Sequence, residues 1–119
     1  MWTYKVTAGE MSWNGTRIAV GYSGQPGAKN NPAREQERGV GPIPRGRWLI
    51  EGPPQDTASH GPFVLRLVPN GVETFGRSGF LIHGDSKSKP GTASRGCIIL
   101  GRIAREGVWN SGDRDLSVV

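Results

Sequence analysis

One cysteine, two histidines and no run of 18 or more apolar residues occur among the 119 positions of the chain. A single cysteine forms no internal disulfide, so stability has to come from packing, and the thiol is free. One cysteine and two histidines without paired ligand spacing argue against a structural zinc centre, and no Gly-x-x-x-x-Gly-Lys loop is present to cradle a nucleotide phosphate. No cofactor or metal is expected. Without a long apolar run no helical membrane span is expected, and Met1-Trp2-Thr3-Tyr4-Lys5 has neither the basic start nor the apolar stretch of a secretory signal. Apolar residues make up only 34% of the chain, yet the charge excess and repetitive tracts of a disordered chain are missing too. The length suits one domain covering residues 1–119.

What the chain has in quantity is glycine, 19 residues, and proline, 9 residues. Both interrupt helices and supply turns, which favours short strands joined by structured loops, a mainly β fold. Lysine and arginine exceed aspartate and glutamate by 15 to 10, and a net charge of +5 attracts polyanions: nucleic acid, anionic lipid or cell-wall polymer.

Trp2, Tyr4 and Val6 alternate with Thr3 and Lys5, the period of a half-buried strand. Met11 to Trp13 and Arg17 to Tyr22 flank Asn14-Gly15, a dipeptide suited to a type I′ hairpin because both residues tolerate positive φ. Residues 23–44 read as a long surface loop in which Arg34 to Arg38 forms at most one helical turn. Strands are expected at Arg47–Glu51, Phe63–Val68, Phe80–His83, Cys97–Leu100 and Leu116–Val119. Between Arg102 and Trp109 a short helix is expected, with Ile103, Ala104 and Val108 lining one face.

The thiolate is the strongest nucleophile this composition offers, which draws attention to Cys97. A lone cysteine next to Ile98-Ile99-Leu100 also suits a core strand. The preceding Gly96 favours the reactive alternative, because it permits a sharp turn that leaves the Gly96 and Cys97 amides facing a developing oxyanion. A thiol with a pKa of about 8.5 is mostly protonated at neutral pH, and an imidazole is the usual proton acceptor. His83 ends a strand at the rim of the sheet, where it meets Cys97 if the two strands are neighbours. His60 lies in the loop from Thr57 to Pro62, and no sequence feature brings it to the site; it is expected to be exposed or to pin its loop. Arg77, Arg95 and Arg45 are candidates to hold substrate carboxylates through bidentate pairing.

His83-Gly84 followed by a loop and then Ser94-Arg95-Gly96-Cys97-Ile98 resembles the His-Gly and Ser-x-Gly-Cys-Ile signature of L,D-transpeptidase catalytic domains. Gly41-Pro42-Ile43-Pro44-Arg45-Gly46-Arg47-Trp48 is similar to the proline-glycine-aromatic segment of that family. Tyr22-Ser23-Gly24 and Gly76-Arg77-Ser78-Gly79-Phe80 extend the likeness to the small toxins of the family delivered by type VI secretion. Arg95 stands where many members have a second histidine, and Ile99 where many have an arginine.

The resemblance implies a small β-sandwich or barrel with one short helix and long loops. It also implies Cys97 as nucleophile, His83 as base, the Gly84 carbonyl orienting the imidazole, the amides of Arg95, Gly96 and Cys97 as oxyanion donors, and Ser94 shaping their loop. The substrate it implies is a peptidoglycan tetrapeptide stem, cut or exchanged at the diaminopimelate–D-alanine bond. Its partners would be that stem and a cognate immunity protein, with secretion that bypasses a Sec-type signal and action in the periplasm of target bacteria.

Two readings of other classes compete. A basic nucleic-acid-binding module would use Tyr22, Trp48 and Phe63 among arginines, although no helix-turn-helix or aromatic-basic strand motif is visible. A non-catalytic wall-binding domain would keep the fold without the chemistry.

Overall fold

The computed structural model describes Met1 to Val119. Its elements run β1 (Trp2–Lys5), β2 (Glu10–Trp13), β3 (Thr16–Val20), β4 (Tyr22–Ser23), β5 (Gly46–Thr57), β6 (Gly61–Pro69), β7 (Leu81–His83), β8 (Ile98–Ile99), α1 (Arg102–Asn110) and β9 (Asp115–Val118), with a 3-10 turn at Pro32–Arg34 in the long loop. The fold is mainly β with one short helix. The alternation in the first segment does what its period requires: Trp2, Tyr4 and Val6 are buried while Lys5 is exposed. Asn14 (φ 49°) and Gly15 (φ 86°) both take the left-handed conformation that a type I′ turn needs, and the hairpin they close stacks Trp13 on Trp2 at 5.7 Å.

All nine strands belong to one sheet in the order β3-β2-β1-β9-β5-β6-β7-β8-β4. The two ends of that order, β3 and β4, are separated in the chain by Gly21 alone. Neighbouring Cα atoms are about 3.8 Å apart, so the two edges must meet and the sheet curls on itself in barrel fashion. Gly21 occupies the seam because nothing larger fits there: a Cβ would lie 1.7 Å from the Ile99 carbonyl oxygen. Sixteen buried apolar residues fill the interior, among them Tyr4, Trp48, Ile50, Leu65, Ile82, Ile98 and Leu116.

Two sequence expectations change. The strand expected at Arg47–Glu51 continues as far as Thr57, passing Pro53 and Pro54 by register shifts between Glu51 and Gln55 and between Gln55 and Thr57. Proline cannot donate to a ladder, and the irregularities are where the strand tolerates it. The helix face is also different. Val108 is fully buried, but Ile103 is 86% exposed and the inward position is taken by Arg105, 4% exposed. Arg105 donates to the carbonyls of Leu100 (2.5 Å), Phe63 (3.1 Å) and Pro62 (3.2 Å), so its charge is buried with each of its three nitrogens partnered. Those bonds tie α1 to the start of β6.

Candidate active site

Strands β7 and β8 run parallel, with Ile82 opposite Ile98 and His83 opposite Ile99. Side chains alternate between faces along a strand, so Ile82 and Ile98 enter the core together. Cys97, one step before Ile98, then falls on the face shared by Leu81 and His83. It is level with Leu81, whose amide donates to the sulfur, and offset from His83 by two residues, about 6–7 Å along the strand. Both side chains line one cavity of about 1250 Å³. The Cys97 Sγ lies 3.8 Å from the Gly79 carbonyl oxygen.

The His83 ring is held by a 2.8 Å bond between Nδ1 and the Gly84 carbonyl oxygen. A carbonyl only accepts, so Nδ1 carries the proton and Nε2 keeps the lone pair in the neutral ring. Burial holds the His83 pKa below the ordinary 6.5, with the Gly84 bond opposing. Burial likewise pushes the Cys97 thiol up, against the Leu81 amide and the positive charge of Arg77. The resting pair is therefore a neutral thiol and a neutral imidazole.

The turn before Cys97 is built around Ser94, which is fully buried. Its hydroxyl accepts from the amides of Gly24 (2.8 Å) and Gly96 (3.1 Å) and donates to the Cys97 carbonyl (2.7 Å). Gly96 has φ +136°, a conformation that side-chain-bearing residues rarely adopt. The oxyanion expectation is corrected here in one respect. The Gly96 amide is already bound to Ser94, which leaves the amides of Arg95 and Cys97 without a partner in the protein. The loop from Gly84 to Gly96 is gathered by Asp85, which accepts from the Tyr22 hydroxyl (2.6 Å) and the amides of Ser86 and Gly91; Tyr22 in turn accepts from the Ala93 amide (2.9 Å). Although burial opposes it, these bonds hold the Asp85 carboxyl below the usual carboxylate range.

The candidate arginines divide. Arg77 is buried and its two terminal nitrogens donate to the carbonyls of Glu35, Pro42 (2.8 Å), Gly41 (2.8 Å) and Arg95 (3.2 Å). It clamps the long loop to the turn before Cys97, and a bidentate carboxylate pair is no longer open to it. Arg45 pairs with Glu35 at 3.0 Å and lies outside the cavity lining. Arg95 is exposed at the cavity rim, where Arg38, Lys87 and Arg102 also lie; Asp85 is the one acidic side chain in the lining. Such a field favours an acidic ligand.

His60 is exposed and its amide pins its own turn, as expected, but its place beside the site was not legible in the sequence. The irregular β5–β6 hairpin carries its tip over the cavity, and the His60 ring packs 4.7 Å from the His83 ring at 55°. Nothing local in the sequence signals this contact, because it depends on the bend in β5 and on Arg105 holding Pro62 and Phe63.

Residues 17–115 match the Tlde1 domain. The chain belongs to the Tlde1 family. This is a family of type VI secretion L,D-transpeptidase effectors with peptidoglycan-modifying activity, secreted into target cells. The matched segment begins in β3 and ends in β9, so every residue of the cavity described above lies within the Tlde1 domain. A search of curated proteins finds no match to the chain.

Proposed function

We propose that this Tlde1 domain, taking residues 1–119 as one catalytic unit, cleaves or exchanges the terminal D-alanine of tetrapeptide stems with Cys97 as nucleophile and His83 as base. The observation that carries the reading is the shared face of β7 and β8, which directs Cys97 and an oriented His83 into one basic cavity. A neutral imidazole is the form that accepts a proton.

In this reaction the thiol turns from the Gly79 carbonyl toward the substrate and gives its proton to His83 Nε2 as sulfur bonds to the diaminopimelate carbonyl carbon. The oxyanion is met by the free amides of Arg95 and Cys97. Collapse breaks the carbon–nitrogen bond; D-alanine leaves with the proton from His83, and a thioester remains on Cys97. Water attacking the thioester yields the tripeptide and restores the thiol, giving L,D-carboxypeptidase chemistry. A D-amino acid or a second stem in place of water gives exchange or a crosslink. The exposed Arg95 supplies charge for the substrate's carboxylates, and Ser94 and Gly84 hold the two reacting side chains in register.

Mass spectrometry of disaccharide-tetrapeptide muropeptides, incubated with wild type, Cys97→Ala and His83→Ala and with a free D-amino acid, tests this directly. Loss or exchange of D-alanine by wild type alone is the expected result; unchanged muropeptides with folded wild type would overturn it. We also infer action in the periplasm of target bacteria and neutralisation by an immunity protein that plugs the groove between Cys97 and His83. Toxicity that appears only on fusion to an export signal is the expected outcome, and equal toxicity from the cytoplasm would reject the periplasmic site.

A further inference from the structure

The reaction above uses one imidazole, and the cavity holds two. His60 reaches it through a turn whose geometry is fixed on several sides. Its amide donates to Thr57 Oγ1 at 2.9 Å, and its Nδ1 lies 2.9 Å from Ser59 Oγ. Immediately beyond the turn, Arg105 of α1 holds the Pro62 and Phe63 carbonyls, and the Arg102 guanidinium sits 4.8 Å from the centre of the Phe63 ring. The turn is thus tied to the helix on one side while His60 lies against His83 on the other.

We propose that His60 is a positioning residue for the base: its imidazole packs at a tilt against the His83 ring and, when protonated, disfavours a second proton on His83. The proposal rests on His83 being the base of the reaction above. Two positive rings with centroids 4.7 Å apart repel, and the exposure of His60 screens that repulsion to a modest size. The other groups acting on His83 are Arg105 from α1, which adds to that repulsion, and Asp85 from the loop after β7, which opposes it. Cys97, ahead of β8, is a neutral thiol at rest, and Arg102 and Lys87 stand at the rim. Burial and a positive His60 act in the same direction on His83, extending to lower pH the range in which the ring is neutral and has a lone pair to offer.

The chain has only two histidines, so imidazole proton NMR resolves both without selective labelling. Titration of wild type, His60→Phe and His60→Ala should be run beside kcat/KM for D-alanine release as a function of pH. His60→Phe keeps an aromatic ring but removes the charge. It should raise the His83 midpoint by about half a pH unit or more, and the acidic limb of kcat/KM should move up by the same interval. His60→Ala should produce that shift and also lower kcat about tenfold through loss of ring positioning. Superimposable His83 titrations and acidic limbs in all three proteins would overturn the proposal. Failure of the underlying reading is separate: full activity of His83→Ala would remove His83 as base, while the NMR titration would still report the contact between the two rings.

Discussion

The side of the sheet built from β1, β2 and β9 and the side built from β7 and β8 are held together differently. On the first, Trp2, Tyr4, Met11, Leu116 and Val118 are all at most 2% exposed, and the strands are four residues long. Apolar burial of this kind is strong but non-directional. On the second, the strands are three and two residues long, and although Ile82, Ile98 and Leu100 are buried as deeply, polar side chains add most of the directional ties. Ser23 accepts from the Ile43 amide and donates to the Gly96 carbonyl; Ser94, Tyr22, Asp85, Arg77 and Arg105 make the remaining ties. Hydrogen bonds fix angles as well as distances, which suits the side that must aim a thiol and an imidazole. The division predicts that stability and activity respond to different substitutions.

The largest effect should come from the reactive side. Cys97→Ala should lower D-alanine release by on the order of 10³-fold or more while leaving the thermal midpoint close to that of wild type, measured by muropeptide analysis and thermal melting. Trp2→Ala attacks the other side and should cost about 3–5 kcal/mol in denaturant unfolding, with kcat per folded molecule unchanged. A fall in kcat matching the loss of stability would break the division between the two sides.

Ser94→Ala tests the fastening itself. It strands the buried amides of Gly24 and Gly96, and should cost about 1–3 kcal/mol together with a fall in kcat of about tenfold or more. A stability loss with full activity would show that the loop geometry is set elsewhere.

A subtler outcome concerns pH. The folded thiol is raised above its ordinary value, so its contribution to stability is fully present below that value and is lost as pH rises through it toward the folded pKa. The wild type should therefore lose stability above about pH 9 more steeply than Cys97→Ala, read as unfolding free energy across the alkaline range. His83 behaves in the opposite sense: its pKa is lowered, so stability is lost as pH falls below 6.5 toward the folded value, and this slope should be absent in His83→Ala. The smallest effect should be Tyr22→Phe, which removes the bond to Asp85 and should cost about 1 kcal/mol, seen as faster amide exchange confined to residues 85–93.

Much of the architecture was legible because it depends on neighbours in the chain. The Asn14-Gly15 turn, the alternation from Trp2 to Val6 and the two short apolar runs at Phe80–His83 and Cys97–Leu100 each carry their own local signal. The extension of β5 past Pro53 and Pro54 was not legible, since the register shifts that accommodate proline are made by pairing with β6. Arg105 took the inward place expected of Ile103 for a related reason. Three carbonyl groups from two separate segments converge where Arg105 enters, and they outweigh the usual preference for an apolar side chain.

At the candidate site the same boundary holds. Residue types and short-range spacing were enough to nominate Cys97, His83 and the Ser94–Gly96 turn, because nucleophile, base and turn glycine are chemical identities that the sequence states outright. The fate of each polar group was decided by the fold. Arg77 became a clamp and Arg45 an ion-pair partner of Glu35, the Gly96 amide was taken by Ser94, and His60 arrived beside His83 from a hairpin more than 20 positions away. Which donors remain free, and which rings touch, depends on contacts between segments distant in the chain, and those exist only once the sheet has closed.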